Sequence, residues 1–171
     1  MAVHVGQRKF DDDWDPVDEQ TAVGIQFDRH DPSALLGYEL GLFVSRKRNK
    51  NLDPGPDGLG NPGDDFEISG LASDLSLGLR KTFSKRDAHL YIGAGIAYSY
   101  AKIKVDPPQG STDKDSDDSL GFYARAGVYW SVRRNALFGL DYRVLTGTDN
   151  DLDHVDDADS SIVSLFLGYS F

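Results

Sequence analysis

Apolar residues recur at alternate positions through eight segments of this 171-residue chain, near 2–10, 21–30, 35–48, 69–83, 89–105, 119–132, 137–147 and 160–171. A period of two predicts β-strands. In the third segment Tyr38, Leu40, Leu42 and Val44 share one face, and Gly37, Glu39, Gly41 and Ser45 share the other. The fourth sets Leu75, Leu77, Leu79 and Phe83 against Ala72, Asp74, Ser76, Gly78 and Arg80. The fifth sets Leu90, Ile92, Ala94, Ile96 and Tyr98 against Gly93, Gly95, Ala97 and Ser99. In the last three, Phe122, Val128, Trp130, Phe138, Leu140, Tyr142, Val144, Val163, Leu165, Leu167 and Tyr169 lie in one phase. Tyr123, Arg125, Gly127, Ser131, Gly139, Asp141, Arg143, Ser164, Gly168 and Ser170 lie in the other. One face is large and apolar; the other is small or charged.

The connections sort by length. Asp31-Pro32-Ser33-Ala34, Ser84-Lys85-Arg86-Asp87 and Arg133-Arg134-Asn135-Ala136 are tight, while those after the first, third, fifth and seventh segments are long and rich in Asp, Gly and Pro. Eight antiparallel strands with tight turns at one end and long loops at the other predict a single up-and-down β-barrel over residues 1–171, its apolar face turned to lipid. A soluble lipocalin-like barrel also alternates, but it points its apolar face inward around a cavity. Here the polar face is crowded with Gly, Ala and Ser, which suits a narrow interior. No run of about 18 apolar residues occurs, so no transmembrane helix is expected. The negative mean hydropathy is compatible with barrel strands, which are apolar on one face only. With the tight turns at the inner side, Phe27, Tyr38, Phe83, Trp130, Phe138, Tyr169 and Phe171 form one aromatic girdle, and Tyr98, Tyr100 and Phe122 form another.

The final run, Ser160-Ser-Ile-Val-Ser-Leu-Phe-Leu-Gly-Tyr-Ser-Phe171, alternates Leu167, Tyr169 and Phe171. It resembles the C-terminal signal of outer-membrane barrels that the barrel-assembly machinery reads. With the strand count, the whole chain resembles the small OmpA/OmpX-type barrels. The resemblance implies a bacterial outer-membrane location with periplasmic turns and extracellular loops. It leaves function open, since that superfamily includes adhesins, anchors, lipid A enzymes and narrow channels. Met1-Ala2-Val3 runs straight into a strand pattern, so Met1 reads as a start placed on a mature chain whose export signal is absent.

Charge refines the picture. The formal net charge of -10 argues against nucleic acid as a partner, and the lack of cysteine excludes disulfides and thiolate metal sites. Arg8, Asp28, Glu39, Asp74, Arg80, Arg125, Asp141 and Arg143 are in inward phase. Charges in a narrow lumen must be paired, so Arg80, Arg125 and Arg143 are expected within ion-pair reach of Glu39, Asp74 or Asp141. Residues 11–20, 52–67, 104–118 and 148–159 hold 22 of the 28 acids. Asp149-x-Asp151-x-Asp153 imitates the start of a calcium loop but has His154 and Ser160 where glycine and a bidentate acid belong. Asp113, Asp115 and Asp117 fail likewise, so weak calcium binding is the most these loops suggest, and no other cofactor is expected. Beneath the acids, Lys9, Arg46, Arg48, Lys50, Lys102 and Lys104 are in outward phase at the loop ends of their strands. Lipopolysaccharide phosphates sit at that level, and Lys and Arg suit them.

His4, His30, His89 and His154 show no serine and acid at triad spacing. The expectation is a non-enzymatic, monomeric surface barrel whose loops meet cations, lipopolysaccharide or another macromolecule. The alternative is a lipid A-modifying enzyme or a narrow ion channel.

Overall fold

The computed structural model describes residues 1–10, 18–29, 34–52, 66–106, 113–132, 135–152, 155–157 and 159–170. Eight strands form the wall: β1 (Ala2–Phe10), β2 (Glu19–Arg29), β3 (Gly37–Leu52), β4 (Phe66–Lys85), β5 (Ala88–Asp106), β6 (Asp113–Val132), β7 (Ala136–Thr146) and β10 (Ser160–Tyr169). Each neighbour is antiparallel, and the sheet closes where β1 pairs with β10 in the register Ala2↔Gly168 to Phe10↔Ser160. Between β7 and β10, β8 (Asp149–Leu152) and β9 (Val155–Asp157) make a separate two-stranded hairpin.

The side chains are inverted relative to a soluble domain. Leu165 and Leu167 are 65% and 71% exposed, whereas Arg8 and Arg143 are 0% and 2% exposed. The belt of exposed Leu, Val, Ile, Phe and Tyr runs through every wall strand, far beyond the apolar patch a water-soluble monomer carries. Such a belt is stable only against hydrocarbon, where closure satisfies every backbone N–H and C=O between strands. Phe27, Tyr38, Phe83, Trp130, Phe138 and Tyr169 lie exposed at the turn end, and Tyr98 and Phe122 lie at the loop end. Tyr100 is half-buried in the same outward phase. Trp130 stacks on Phe138 with centroids 5.3 Å apart. Phe171 is outside the described residues.

The tight turn after β4 is shorter than its sequence suggests. Lys85 pairs with Ala88, so only Arg86 and Asp87 make the reversal, with Arg86 at a left-handed φ of 56°. At the other end the strands outrun expectation. β5 and β6 stay in register as far as Val105↔Asp113, so much of the expected loop 104–118 is strand. Residues 113–118 are polar in both phases, so the apolar alternation that marks a strand in sequence is missing there. The 20 residues of β4, at about 3.4 Å each and tilted about 40°, climb roughly 50 Å, about twice the ~25 Å apolar band of such barrels. β1, β2, β7 and β10 have only 9–11 residues. The rim is therefore oblique, tall over β3–β6 and low over the seam.

The inner face is not uniformly small. Phe43, Tyr91, Tyr123 and Phe166 all point into the lumen and are buried. Each ring has a glycine as its cross-strand partner: Gly24↔Phe43, Tyr91↔Gly127, Gly95↔Tyr123 and Phe166↔Gly139. A Cβ built on Gly24 would lie 2.4 Å from the Phe43 ring, and one on Gly139 would lie 2.7 Å from Phe166. The Tyr123 hydroxyl reaches over Gly78, 2.2 Å from where its Cβ would stand. The narrow lumen admits large rings because the facing strand supplies no side chain.

In detergent micelles the protein should give β-rich circular dichroism and resist SDS until heated. Gly127→Ala should cost about 1–3 kcal/mol in urea unfolding by overpacking. Its Cβ would meet the Tyr91 ring at 2.4 Å and the Leu140 carbonyl oxygen at 2.5 Å. An unchanged unfolding midpoint would show that the ring can move aside.

Candidate functional site

Two constellations stand out, one inside the barrel and one on its outer rim. In the lumen, β6 aims Arg125 across the barrel. Its Nη2 donates to Asp141 Oδ2 at 2.6 Å and to the Tyr91 hydroxyl at 3.0 Å, and its Nη1 donates to Gln26 and lies 3.6 Å from Glu39. Tyr91 donates to Asp141, and Tyr123 donates to Glu39 at 2.7 Å. Nearer the loops, Arg8 and Arg143 converge on Asp74 at 2.5 Å and 3.2 Å, and Arg8 Nε donates to Ser160 at 2.9 Å. Nearer the turns, Arg80 pairs with Asp28 at 3.0 Å, not with Glu39, Asp74 or Asp141. Its guanidinium lies 3.7 Å above the Tyr91 ring. Arg80 and Asp28 border a cavity of about 540 Å³ at the turn-end mouth, together with Tyr129 and Phe166.

All eight expected lumen charges, Arg8, Asp28, Glu39, Asp74, Arg80, Arg125, Asp141 and Arg143, are therefore inside. Four charges of each sign balance, and the bonds cross from strand to strand. The arrangement fills the barrel and ties opposite walls together. His4 lies 3.1 Å from Ser164, packed against Phe43 and Phe166 and 1% exposed. That burial keeps the pair from any lipid or soluble substrate. His89 contacts Ser84 at 2.8 Å and Ser131 at 3.3 Å beside the turn. His30 and His154 are outside the described residues.

On the outer rim the register assembles four of the six expected cations. Arg46 and Lys102 are the two cross-strand neighbours of Leu71, and Arg48 and Lys104 are those of Ser69. All four share the outward phase of the tall wall, so they bracket β4 in a rectangle roughly 10 Å across and 7 Å along the strands. Tyr98 and Tyr100 lie next below on β5, where the Tyr98 hydroxyl donates to Asp118 at 2.6 Å. Lys9 stands apart on the low wall, opposite Glu19 and Ser161. The Lys50 side chain is outside the described residues.

The expected acidic metal positions do not form a described cluster. Asp113, Asp115 and Asp117 lie at alternate positions of the extended strand β6; only the Asp117 side chain is among those described, and it is half-buried. Asp149 and Asp151 lie on β8 without described side chains, and Asp153 is outside the described residues. Asp159 fastens the end of this loop to the end of β7. Its carboxylate accepts from Thr146, from the Thr148 hydroxyl and from the Thr148 N–H at 2.7–3.1 Å.

A model of the outer membrane protein beta-barrel domain matches residues 1–171. The chain belongs to that family. Membership places this barrel in the outer membrane of a Gram-negative bacterium. Among solved structures it is similar to Ail, the attachment invasion locus protein of Yersinia pestis, in complex with the heparin analogue sucrose octasulfate. That match has 13% identity over 99% of this chain and 94% of that one, with a TM-score of 0.62. It is also similar to Neisserial surface protein A, with 15% identity over 99% and 94% and a TM-score of 0.55. These likenesses establish the fold. No curated protein sequence matches the chain.

Asp74 and Asp28 allow a contrast in burial within one lumen. Asp74→Asn leaves two buried arginines without a carboxylate and should cost at least about 3 kcal/mol in urea unfolding. Asp28→Asn acts at the mouth, where Asp28 is 26% exposed, and should cost about 1 kcal/mol or less. Equal losses would mean that water reaches both sites alike.

Proposed function

We propose that this barrel is a non-enzymatic surface protein whose outer rim holds the phosphates of lipopolysaccharide and whose acidic loops gather divalent cations above them. The observation that carries the reading is the quartet Arg46, Arg48, Lys102 and Lys104 around Ser69 and Leu71. It stands directly above the tyrosine belt, at the height of headgroup phosphates. A phosphate over Ser69 has a cation on either side and a hydroxyl beneath it. Guanidinium forks and ammonium groups both make charge-assisted bonds to such oxygens. That the structurally similar Ail was solved with a heparin analogue supports a polyanion as a partner of this kind of barrel.

The acids above would repel anionic sugars unless cations bridge them. Calcium tolerates irregular oxygen cages better than magnesium does, so it is the expected bridge. A conducting lumen is disfavoured by the arginines, carboxylates and rings that fill it. An esterase-like role is disfavoured by the burial of the His4–Ser164 pair.

Replacing Arg46, Arg48, Lys102 and Lys104 together by Gln should weaken lipopolysaccharide binding at least about tenfold. One lost charge-assisted contact is worth about 1.5–3 kcal/mol. High salt should weaken binding by the intact protein, and Lys9→Gln should leave it unchanged. Lipopolysaccharide co-purification is the measurement; undiminished recovery with the quadruple variant would reject the site. Millimolar calcium should slow amide exchange in the acidic loops and leave the wall unaffected.

A further inference from the structure

Charge is distributed unequally between the two ends of the barrel. The chain carries a net charge of -10, yet residues 29–36, 81–89 and 132–136, which make the tight-turn end, hold six Lys and Arg against two acids, Asp31 and Asp87. Arg29, Lys85 and Arg86 are exposed, and Lys81 is half-buried. Among the described residues no ion pair engages any of these four. No acid occupies an outward strand position at this end among the described residues. Asp28 points into the lumen, where it pairs with Arg80, and Asp87 lies in the turn beside Arg86.

The phase of the strands puts two of these cations on the lipid face. Arg29 continues the outward row Val23, Ile25 and Phe27, and Lys81 lies between the outward Leu79 and Phe83. The Lys81 ammonium is 5.4 Å from the centroid of the Phe83 ring, so it stands in the aromatic belt of the turn end. Register brings Arg29 and Lys81 to either side of one tyrosine. Tyr38 is the cross-strand neighbour of both Arg29 and Leu79, and Lys81 is the next outward position beyond Leu79. Their backbones are therefore roughly 10 Å apart across β3 and 7 Å apart along the strands, a span that two long cationic side chains can close on one phosphate. Tyr38 is 68% exposed between them.

We infer that Arg29, Tyr38 and Lys81 form a binding site for the phosphate of an anionic phospholipid in the leaflet that meets the tight turns. An aromatic belt marks headgroup height, and on the outer surface of the wall at that height the neighbour is lipid. Arg29 and Lys81 make charge-assisted bonds to the phosphate oxygens, and the Tyr38 hydroxyl adds a third donor. A zwitterionic headgroup brings its own ammonium, which these cations repel; a headgroup such as glycerol does not. The site stands at the opposite end of the wall from the quartet around Ser69 and does not depend on it.

The test uses a local reporter. Trp14 and Trp130 are the two tryptophans of the chain; replacing both by Phe and adding Leu79→Trp places one indole beside Tyr38. The protein is refolded into vesicles that mix phosphatidylglycerol and phosphatidylcholine, with one or the other brominated, and quenching gives their relative binding constant. At low salt phosphatidylglycerol should be favoured at position 79 by at least about fivefold, the contribution of one cation near a charged surface. Salt at 1 M should bring the ratio close to one. Arg29→Gln with Lys81→Gln should abolish the preference while leaving the heat-dependent gel shift intact, and the quartet variant at the other end should keep it. An indole placed instead by Leu140→Trp, whose cross-strand neighbours are Val128 and Leu165, should show no preference. Equal preference at positions 79 and 140 would overturn the inference, as would a preference that survives in the double variant. So would absence of any preference, with co-sedimentation of the intact protein but not the double variant on purified peptidoglycan, which would assign these cations to the cell wall.

Discussion

In hydrocarbon a peptide group has no water to bond to, and each unsatisfied group costs several kcal/mol. Closure of the ladder between β1 and β10 is therefore the constraint on which the rest of the molecule depends. Once eight strands close, every second side chain must enter a narrow lumen and every other one must face lipid. Leu, Val and the girdle aromatics go outward because that is where apolar surface is matched. The charges go inward because facing lipid would be worse.

The lumen then has to be filled without strain. Glycine on one strand and an aromatic ring on the next is the recurring solution, at Gly24 and Phe43, Gly127 and Tyr91, Gly139 and Phe166. The rings in turn seat the guanidinium groups: Arg80 and Arg125 lie over Tyr91, and Arg143 lies between Phe43 and Tyr123. Packing and ion pairing are thus one network. Its bonds run between strands distant in sequence, such as Arg8 to Asp74 and Tyr123 to Glu39.

The unequal strand lengths give the barrel a tall wall and a low one. β3 to β6 rise well above the level at which β1 and β7 end, so the outward face of the tall wall meets headgroups, sugars and whatever lies beyond. The cation quartet sits on that wall, in its outward phase around Ser69 and Leu71. The lumen charges face the other way, paired across the barrel.

What the sequence determined by itself was the alternation: which residues face lipid, that there are eight spanning strands, and that eight charges, from Arg8 to Arg143, turn inward. It could do so because a lipid belt and a packed lumen demand opposite side chains at adjacent positions. Where both phases are polar, as on β6 from Asp113 to Asp118, that signal vanishes, and the strand was not legible. The inward phase of Phe43, Tyr91 and Phe166 was open to the same parity argument. The reason large rings fit lies in glycines on neighbouring strands, and only register brings them opposite. Register also decided that Arg80 meets Asp28, that Arg48 and Lys104 flank Ser69, and that two arginines share Asp74. Pairings across a barrel are set by how closed strands align, a property of the assembled sheet that no local pattern encodes.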